Sequence, residues 1–222
     1  MHGTASCVRL AVAASIGDIM KALSLLGALS LVACSQVTPR YILQPGSFDG
    51  WHTAPGGSWG WRGDVLVGKS PKSELRHGIL ISDARYSDFD ARVEFRVLSG
   101  DSGFYFRVAE KGGTVAVHGF QSEVDTTLET GGLYETGGRA WVVRPDPDRM
   151  RSVYRPGEWA SLRVRAIGKD VDVWVNGTLT ASLRDDPGRI EGHLGLQLHG
   201  GQDMHVEYRR LELLDLSESV GR

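Results

Sequence analysis

Residues 118–135, HGFQSEVDTTLETGGLYE, hold the densest set of side chains able to move a proton or hold a hydroxyl. At the two-residue period of a strand, His118, Phe120, Ser122 and Val124 point one way and Gln121, Glu123 and Asp125 the other. A face carrying an amide and two carboxylates in a row is either wet or working. Same-face positions recur about every 7 Å along a strand. Retaining glycoside hydrolysis needs two carboxyls about 5–5.5 Å apart.

β-Glucanases of the laminarinase and lichenase type meet that need with E-x-D-x-E or E-x-D-x-x-E on one strand. Here Glu123 and Asp125 are followed by Thr127 and Leu128, and the next acid is Glu129. It comes two residues late for the first spacing and one late for the second, and neither Thr127 nor Leu128 can donate a proton. Direct retaining hydrolysis through this strand is not expected unless another strand supplies the acid.

Other motifs are weaker. Gly100-Asp101-Ser102-Gly103 has the look of a serine-protease nucleophile segment, but no His and Asp are marked as its partners. A turn entering a strand accounts for it. His193, His199 and His205 recur every six residues, about 20 Å along a strand, so His193 and His199 cannot share an ion. His205 could fold back toward His199, and one His with Glu123 or Asp125 could hold a divalent cation; a metal is left open. Asn176-Gly177-Thr178 fits a glycosylation sequon and, better, a hairpin turn. Residues 138–150, GRAWVVRPDPDRM, read as a long loop in which Trp141 either stacks on a sugar or pins the loop.

The elements that must carry these groups are strands of two kinds. ARVEFRV (91–97), SLRVRA (161–166), VDVWVNG (171–177) and HVEYRRLELLDL (205–216) alternate apolar residues with charged ones, as on the solvent-facing back of a sandwich. The last shifts parity at Arg209-Arg210, which implies a bulge. GFYFRV (103–108), GFQSEVD (119–125) and HLGLQLHGG (193–201) instead set Tyr105, Arg107, Gln121, Glu123, Gln197, His199 and bare glycines outward. If they share a sheet, those residues line one polar surface suited to sugar hydroxyls and rings. Glycine within a strand marks a close approach to the backbone.

The 222 residues suit one domain with extensions, and 29 glycines between short alternating runs are an all-β habit. Net charge is −2 with acid and base mixed throughout, which argues against a nucleic-acid partner. Cys7 and Cys34 both precede the strand pattern, so that part carries no disulfide or thiolate chemistry. Met20-Lys21, the run ALSLLGALSLVAC and the ending Leu31-Val32-Ala33-Cys34 resemble a bacterial lipoprotein signal. On that reading Met20 is the true start, Cys34 is lipidated, and the protein is anchored to the membrane in the cell envelope, outside the cytoplasm. An ordinary secretory signal is the alternative. The expected layout is a signal region at 1–33, a polar linker at 34–46, the domain at 47–215 and a tail at 216–222.

Nine motifs in order carry a resemblance over Phe48 to Leu213: FDGW, DVLVG, YSDFDARVEFRV, DSGFYFR, FQSEVD, GGLYETGGRAW, RPGEWASLRV, VWVNG and GHLGLQLHGG. The chain resembles the 3-keto-disaccharide hydrolase domain family, also described as 3-keto-glucoside lyase/hydratase domains. The resemblance implies a concanavalin-like jelly roll of two antiparallel sheets. It also implies cleavage of glycosides already oxidised at C3, by loss of the C2 proton, departure of the glycosidic oxygen and later addition of water. That chemistry needs a base and an enolate stabiliser rather than a nucleophile–acid pair. By position, Glu123 or His199 is the base. Arg107, with His199 if it is not the base, or a bound cation, is the stabiliser. Tyr105, Gln121, Asp125, Tyr134, Trp141 and Gln197 are binding residues. Asp101 stands where the resemblance leads one to expect Asn, and it is assigned to the turn alone. A non-catalytic carbohydrate-binding module on the same fold is the alternative.

Overall fold

The computed structural model describes residues 38–217. The signal-like segment, Met20 and Cys34 lie outside the described residues, as does the end of the tail. Among the described residues no helix is long and apolar enough to cross a membrane.

Two antiparallel sheets form the fold, as the two strand types imply. The first is eight-stranded. It joins β1 (Arg40–Tyr41), β3 (Ser58–Arg62), β4 (Val65–Ser70), β6 (Phe89–Ser99), β11 (Ala160–Ile167), β12 (Asp170–Val175), β13 (Thr178–Leu183) and β15 (Met204–Asp215). Its order is β13-β12-β11-β6-β15-β4-β3, with β1 paired to β15. The second is seven-stranded, with order β10-β9-β8-β7-β14-β5-β2. It comprises β2 (Trp51–Thr53), β5 (Gly78–Tyr86), β7 (Asp101–Glu110), β8 (Val117–Asp125), β9 (Leu133–Thr136), β10 (Ala140–Val143) and β14 (Gly192–Leu198). The chain enters the first sheet earlier than a linker at 34–46 implies, since Arg40 and Tyr41 pair with Leu213 and Glu212 and Leu43 is buried.

The core is the apolar half of each alternating strand. Val93, Phe95 and Val97 from β6 and Leu162 and Val164 from β11 meet Phe104, Phe106, Phe120, Val124, Leu194, Leu196 and Leu198 from the second sheet. Phe106 stacks on Phe120 with centroids 5.4 Å apart, and Phe89 meets Phe106 edge-on at 6.1 Å. The outer face of the first sheet is the charged lattice that its sequence implies. Arg163 pairs with Asp90 and lies 4.5 Å over Trp174, while Arg96 and Arg209 both lie over Trp159. Asn176 and Gly177 take positive φ in the β12–β13 turn, and β15 shifts register between Arg209 and Glu212. The span 138–150 is not a loop: β10 and a short helix α1 (Pro147–Val153), capped by Asp146, occupy most of it.

One departure changes the site. A bulge between Phe106 and Ala109 puts Arg107 at φ 51 and reverses the parity of β7. Val108 joins Tyr105, Ile79, Ile81 and Val117 in a small outer cluster. Arg107 turns away from them. It is 1% exposed, donates from Nε and Nη2 to the Ser87 carbonyl at 3.0 and 2.6 Å, and pairs with Asp88 at 3.5 Å. It braces the β5–β6 connection. Arg107→Ala would strand the Ser87 carbonyl and leave a cavity, at a cost of about 2–4 kcal/mol. Urea unfolding should show that loss while any activity of the folded variant is kept; a loss of stability below about 0.5 kcal/mol would contradict the bracing role.

Candidate functional site

β8, β7 and β14 are consecutive in the second sheet, so their outward side chains form a continuous floor. Gln121 and Glu123 rise from β8, Tyr105 from β7 and Gln197 from β14, followed by His199 just past its end. β9 and β10 add a wall of Tyr134, Thr136 and Trp141. The resulting cleft holds about 470 Å³, the scale of a sugar-sized ligand.

The floor is a closed set of hydrogen bonds. Gln121 Nε2 donates to Glu123 Oε2 at 2.9 Å and to Gln197 Oε1 at 3.2 Å. Gln197 Nε2 donates to the Tyr105 hydroxyl at 3.1 Å and to His77 Nδ1 at 3.0 Å. Tyr105 is 3.1 Å from Thr136 Oγ1, which donates to Gln121 Oε1 at 3.4 Å. Both protons of each amide are thereby used, and every hydroxyl has one consistent direction. The ring can close because Gly103 separates the two glutamines: a Cβ there would sit 2.4 Å from Gln121 Nε2. Gly195, another bare position, is filled by Tyr105 and Ile79 rather than open to a ligand.

This floor buries Glu123 to 7% exposure. Burial, then the nearby Asp101 and Asp125, push its pKa up to about 9, against which the single bond from Gln121 pulls weakly. Glu123 is therefore a neutral acid at pH 7. Asp101 lines the same cleft, and burial raises it to about 6. His77 is held down at about 4 by burial and by His199, whose ring centroid is 4.2 Å away. His199 Nδ1 lies 2.7 Å from the Gly200 carbonyl, which can only accept. The proton is therefore on Nδ1 and the lone pair on Nε2.

The cleft brings together Tyr105, Gln121, Glu123, Asp125, Tyr134, Trp141, Gln197 and His199. Arg107 is not among its lining residues, because the bulge turned it inward; its assignment as enolate stabiliser is corrected. Asp125 lines the cleft, but its carboxylate is occupied by Thr127 N and Oγ1 and by Thr130 Oγ1. It organises the turn 125–130 more than it offers itself to a ligand. Trp141 stands on a strand, with Arg144 4.1 Å over its ring and Tyr134 edge-on at 5.6 Å. Ser102 is no nucleophile, since its buried hydroxyl donates to the Gln197 carbonyl at 2.6 Å. His205 lies in the first sheet. Among the described residues no three His, Cys, Asp or Glu side chains converge as a set able to hold a metal ion.

His77, Asp101 and Thr136 were missed in the sequence. Strand parity carries a signal for Asp101, two residues before Gly103 and four before Tyr105. His77 has none, because it precedes β5.

Comparison with known proteins agrees with this architecture. The family model of the 3-keto-alpha-glucoside-1,2-lyase-like domain matches residues 43–214. No curated protein matches the chain. Among solved structures, the carbohydrate binding module CBM66 from Bacillus subtilis aligns at TM-score 0.57 and 18% identity, over 75% of this chain and 96% of that one. A Parabacteroides distasonis ATCC 8503 protein, provisionally called a glycosyl hydrolase, aligns at TM-score 0.58 and 18% identity, over 77% and 90%. A Bacillus subtilis protein of unknown function with a galectin-like fold aligns at TM-score 0.55 and 13% identity, over 76% and 90%. At these identities the likeness is one of fold.

The buried acid links stability to pH. Folded Glu123 keeps its proton up to about pH 9, whereas an unperturbed Glu ionises near 4.5. Between those values the unfolded chain binds fewer protons, so this group makes stability fall as pH rises. Glu123→Gln keeps the shape and removes the slope. Denaturant midpoints should show the variant gaining on the native chain steadily from about pH 5 to about pH 8.5. A difference that does not change with pH would show that Glu123 is ionised in the fold.

Proposed function

We propose that this chain, which belongs to the 3-keto-alpha-glucoside-1,2-lyase-like domain family, cleaves 3-keto-glycosides by elimination across C1 and C2. A ketone at C3 acidifies the C2 proton, so the reaction needs a base at C2, an acid at the glycosidic oxygen and a donor at the developing enolate. His199 Nε2 carries a lone pair and takes the C2 proton. Neutral Glu123 gives its proton to the departing oxygen. Tyr134 lines the cleft, and its hydroxyl makes no hydrogen bond among the described residues, which leaves it free to donate to the C3 oxygen. Gln121, Gln197 and Tyr105 set the polar floor on which the sugar rests.

The observation that carries this reading is the pairing, in one cleft, of a carboxyl kept protonated and an imidazole whose free nitrogen is an acceptor. A carboxyl that keeps its proton beside a nitrogen that can accept one supplies the acid and the base that the elimination needs. Family membership and the fold shared with a glycosyl-hydrolase candidate and a carbohydrate binding module support a carbohydrate-related function. The binding-module neighbour also favours a second reading, in which the cleft holds sugar without turning it over.

Turnover separates the two. The full chain should cleave a 3-keto-glucoside, with kcat/KM falling above about pH 9 as Glu123 loses its proton. Glu123→Gln and His199→Ala should each lower kcat about 10²–10⁴-fold. Saturable binding of the keto sugar with no product would leave the binding reading standing and end the catalytic one.

A further inference from the structure

β8 lacks a second acid at catalytic spacing, but its neighbour supplies one. In the β7–β8 register Asp101 stands opposite Asp125 and Gly103 opposite Glu123. Asp101 and Glu123 are thus diagonal neighbours on one face, where such positions lie about 7–8 Å apart. Both line the cleft. The third carboxyl, Asp125, is engaged by the threonines of its own turn. Asp101 is not engaged at all: its carboxyl makes no hydrogen bond among the described residues, and Oδ1 is buried without a partner. A buried oxygen left unpaired costs stability and invites a ligand or water. The turn between β6 and β7 does not need this carboxyl, since the backbone N–H of Asp101, not its side chain, makes the contact to Met204.

We propose that Asp101 and Glu123 form a two-carboxyl pair that also hydrolyses unoxidised glycosides in this cleft. Glu123 gives its proton to the glycosidic oxygen, and the C1–O bond breaks with its electron pair on the departing alcohol. Water adds at C1, and the proton it sheds goes to the Asp101 carboxylate. That proton returns to Glu123 through solvent, so each turnover consumes one water. At pH 7 the two groups already hold the required states, with Glu123 at about 9 and Asp101 at about 6. A carboxylic acid on the leaving oxygen and a carboxylate that activates a water at C1 make an inverting pair, and such pairs hold their carboxyls about 6.5–9.5 Å apart to leave room for that water. This activity shares Glu123 with the elimination but uses neither His199 nor a ketone, so it does not rest on that reading.

The probes are methyl α-glucoside and 4-nitrophenyl α-glucoside, incubated with the full chain and followed by NMR of the released sugar. β-Glucose should appear first. The rate should rise through about pH 6 as Asp101 ionises and fall above about pH 9 as Glu123 does. Asp101→Asn should lower this rate at least about 100-fold. Because the Asp101 charge helps Glu123 keep its proton, cleavage of a 3-keto-glucoside should survive in this variant with its alkaline fall moved to lower pH. No sugar released from either probe, release unchanged in Asp101→Asn, or α-glucose as the first product would each overturn the pair. Glucose release without any keto-glucoside cleavage would sink the elimination alone.

Discussion

The side-chain amide of Gln121 lies across β7 because position 103 offers no side chain to stop it. From there it reaches Gln197 on one side and Glu123 on the other, spending both of its protons. The other members of the floor follow from that placement. Gln197 must turn its oxygen toward Gln121, which aims its own protons at Tyr105 and His77. Tyr105 then donates to Thr136, and Thr136 closes the loop. A fully satisfied buried network is rigid, because any rotation leaves a donor or acceptor unpaired in a low-dielectric site. Glu123 sits against that rigid ring with only one oxygen held, so it can be buried only in its neutral form.

The location of the ring explains why strands rather than loops carry the candidate chemistry. Three consecutive strands of one sheet give fixed spacings, and the aromatic core beneath them holds those spacings firm. The wall is secured separately. Arg139, in the β9–β10 connection, pairs with Glu135 and with both oxygens of Asp186, tying that hairpin to the segment after β13. Arg144 pairs with Glu129 while covering Trp141. The charged lattice of the first sheet takes no part in the cleft and faces solvent on the far side.

Alternation of apolar and polar residues at period two is enough to assign seven of the fifteen strands, to sort those seven into two sheets and to point Gln121, Glu123, Gln197 and Tyr105 the same way. It fails where the period fails. Arg107 follows Tyr105 by two residues and reads as its companion, but a left-handed residue at that position shifts the strand by one and buries it. Nothing in the local sequence, RV between Phe106 and Ala109, announces that bulge, whereas Arg209-Arg210 announces the one in β15 by two successive charges. Trp141 reads as a loop residue because Pro145 and Pro147 follow it, yet β10 ends before the prolines begin. Asp101 reads as a turn residue when β7 is taken to start at Gly103; pairing with β8 extends that strand back to include it. His77 enters the site through tertiary packing alone, which no one-dimensional pattern records.

The ionisation of Glu123 in the folded chain tests the central claim most directly. A carbon-13 label on glutamate side chains, titrated by NMR and assigned by comparison with Glu123→Gln, reads it without any substrate. The account expects this one carboxyl to hold its proton through neutral pH and to titrate near 9. A midpoint below about 6 would mean that the floor tolerates a charged Glu123, and the division of acid and base roles derived from its burial would be wrong.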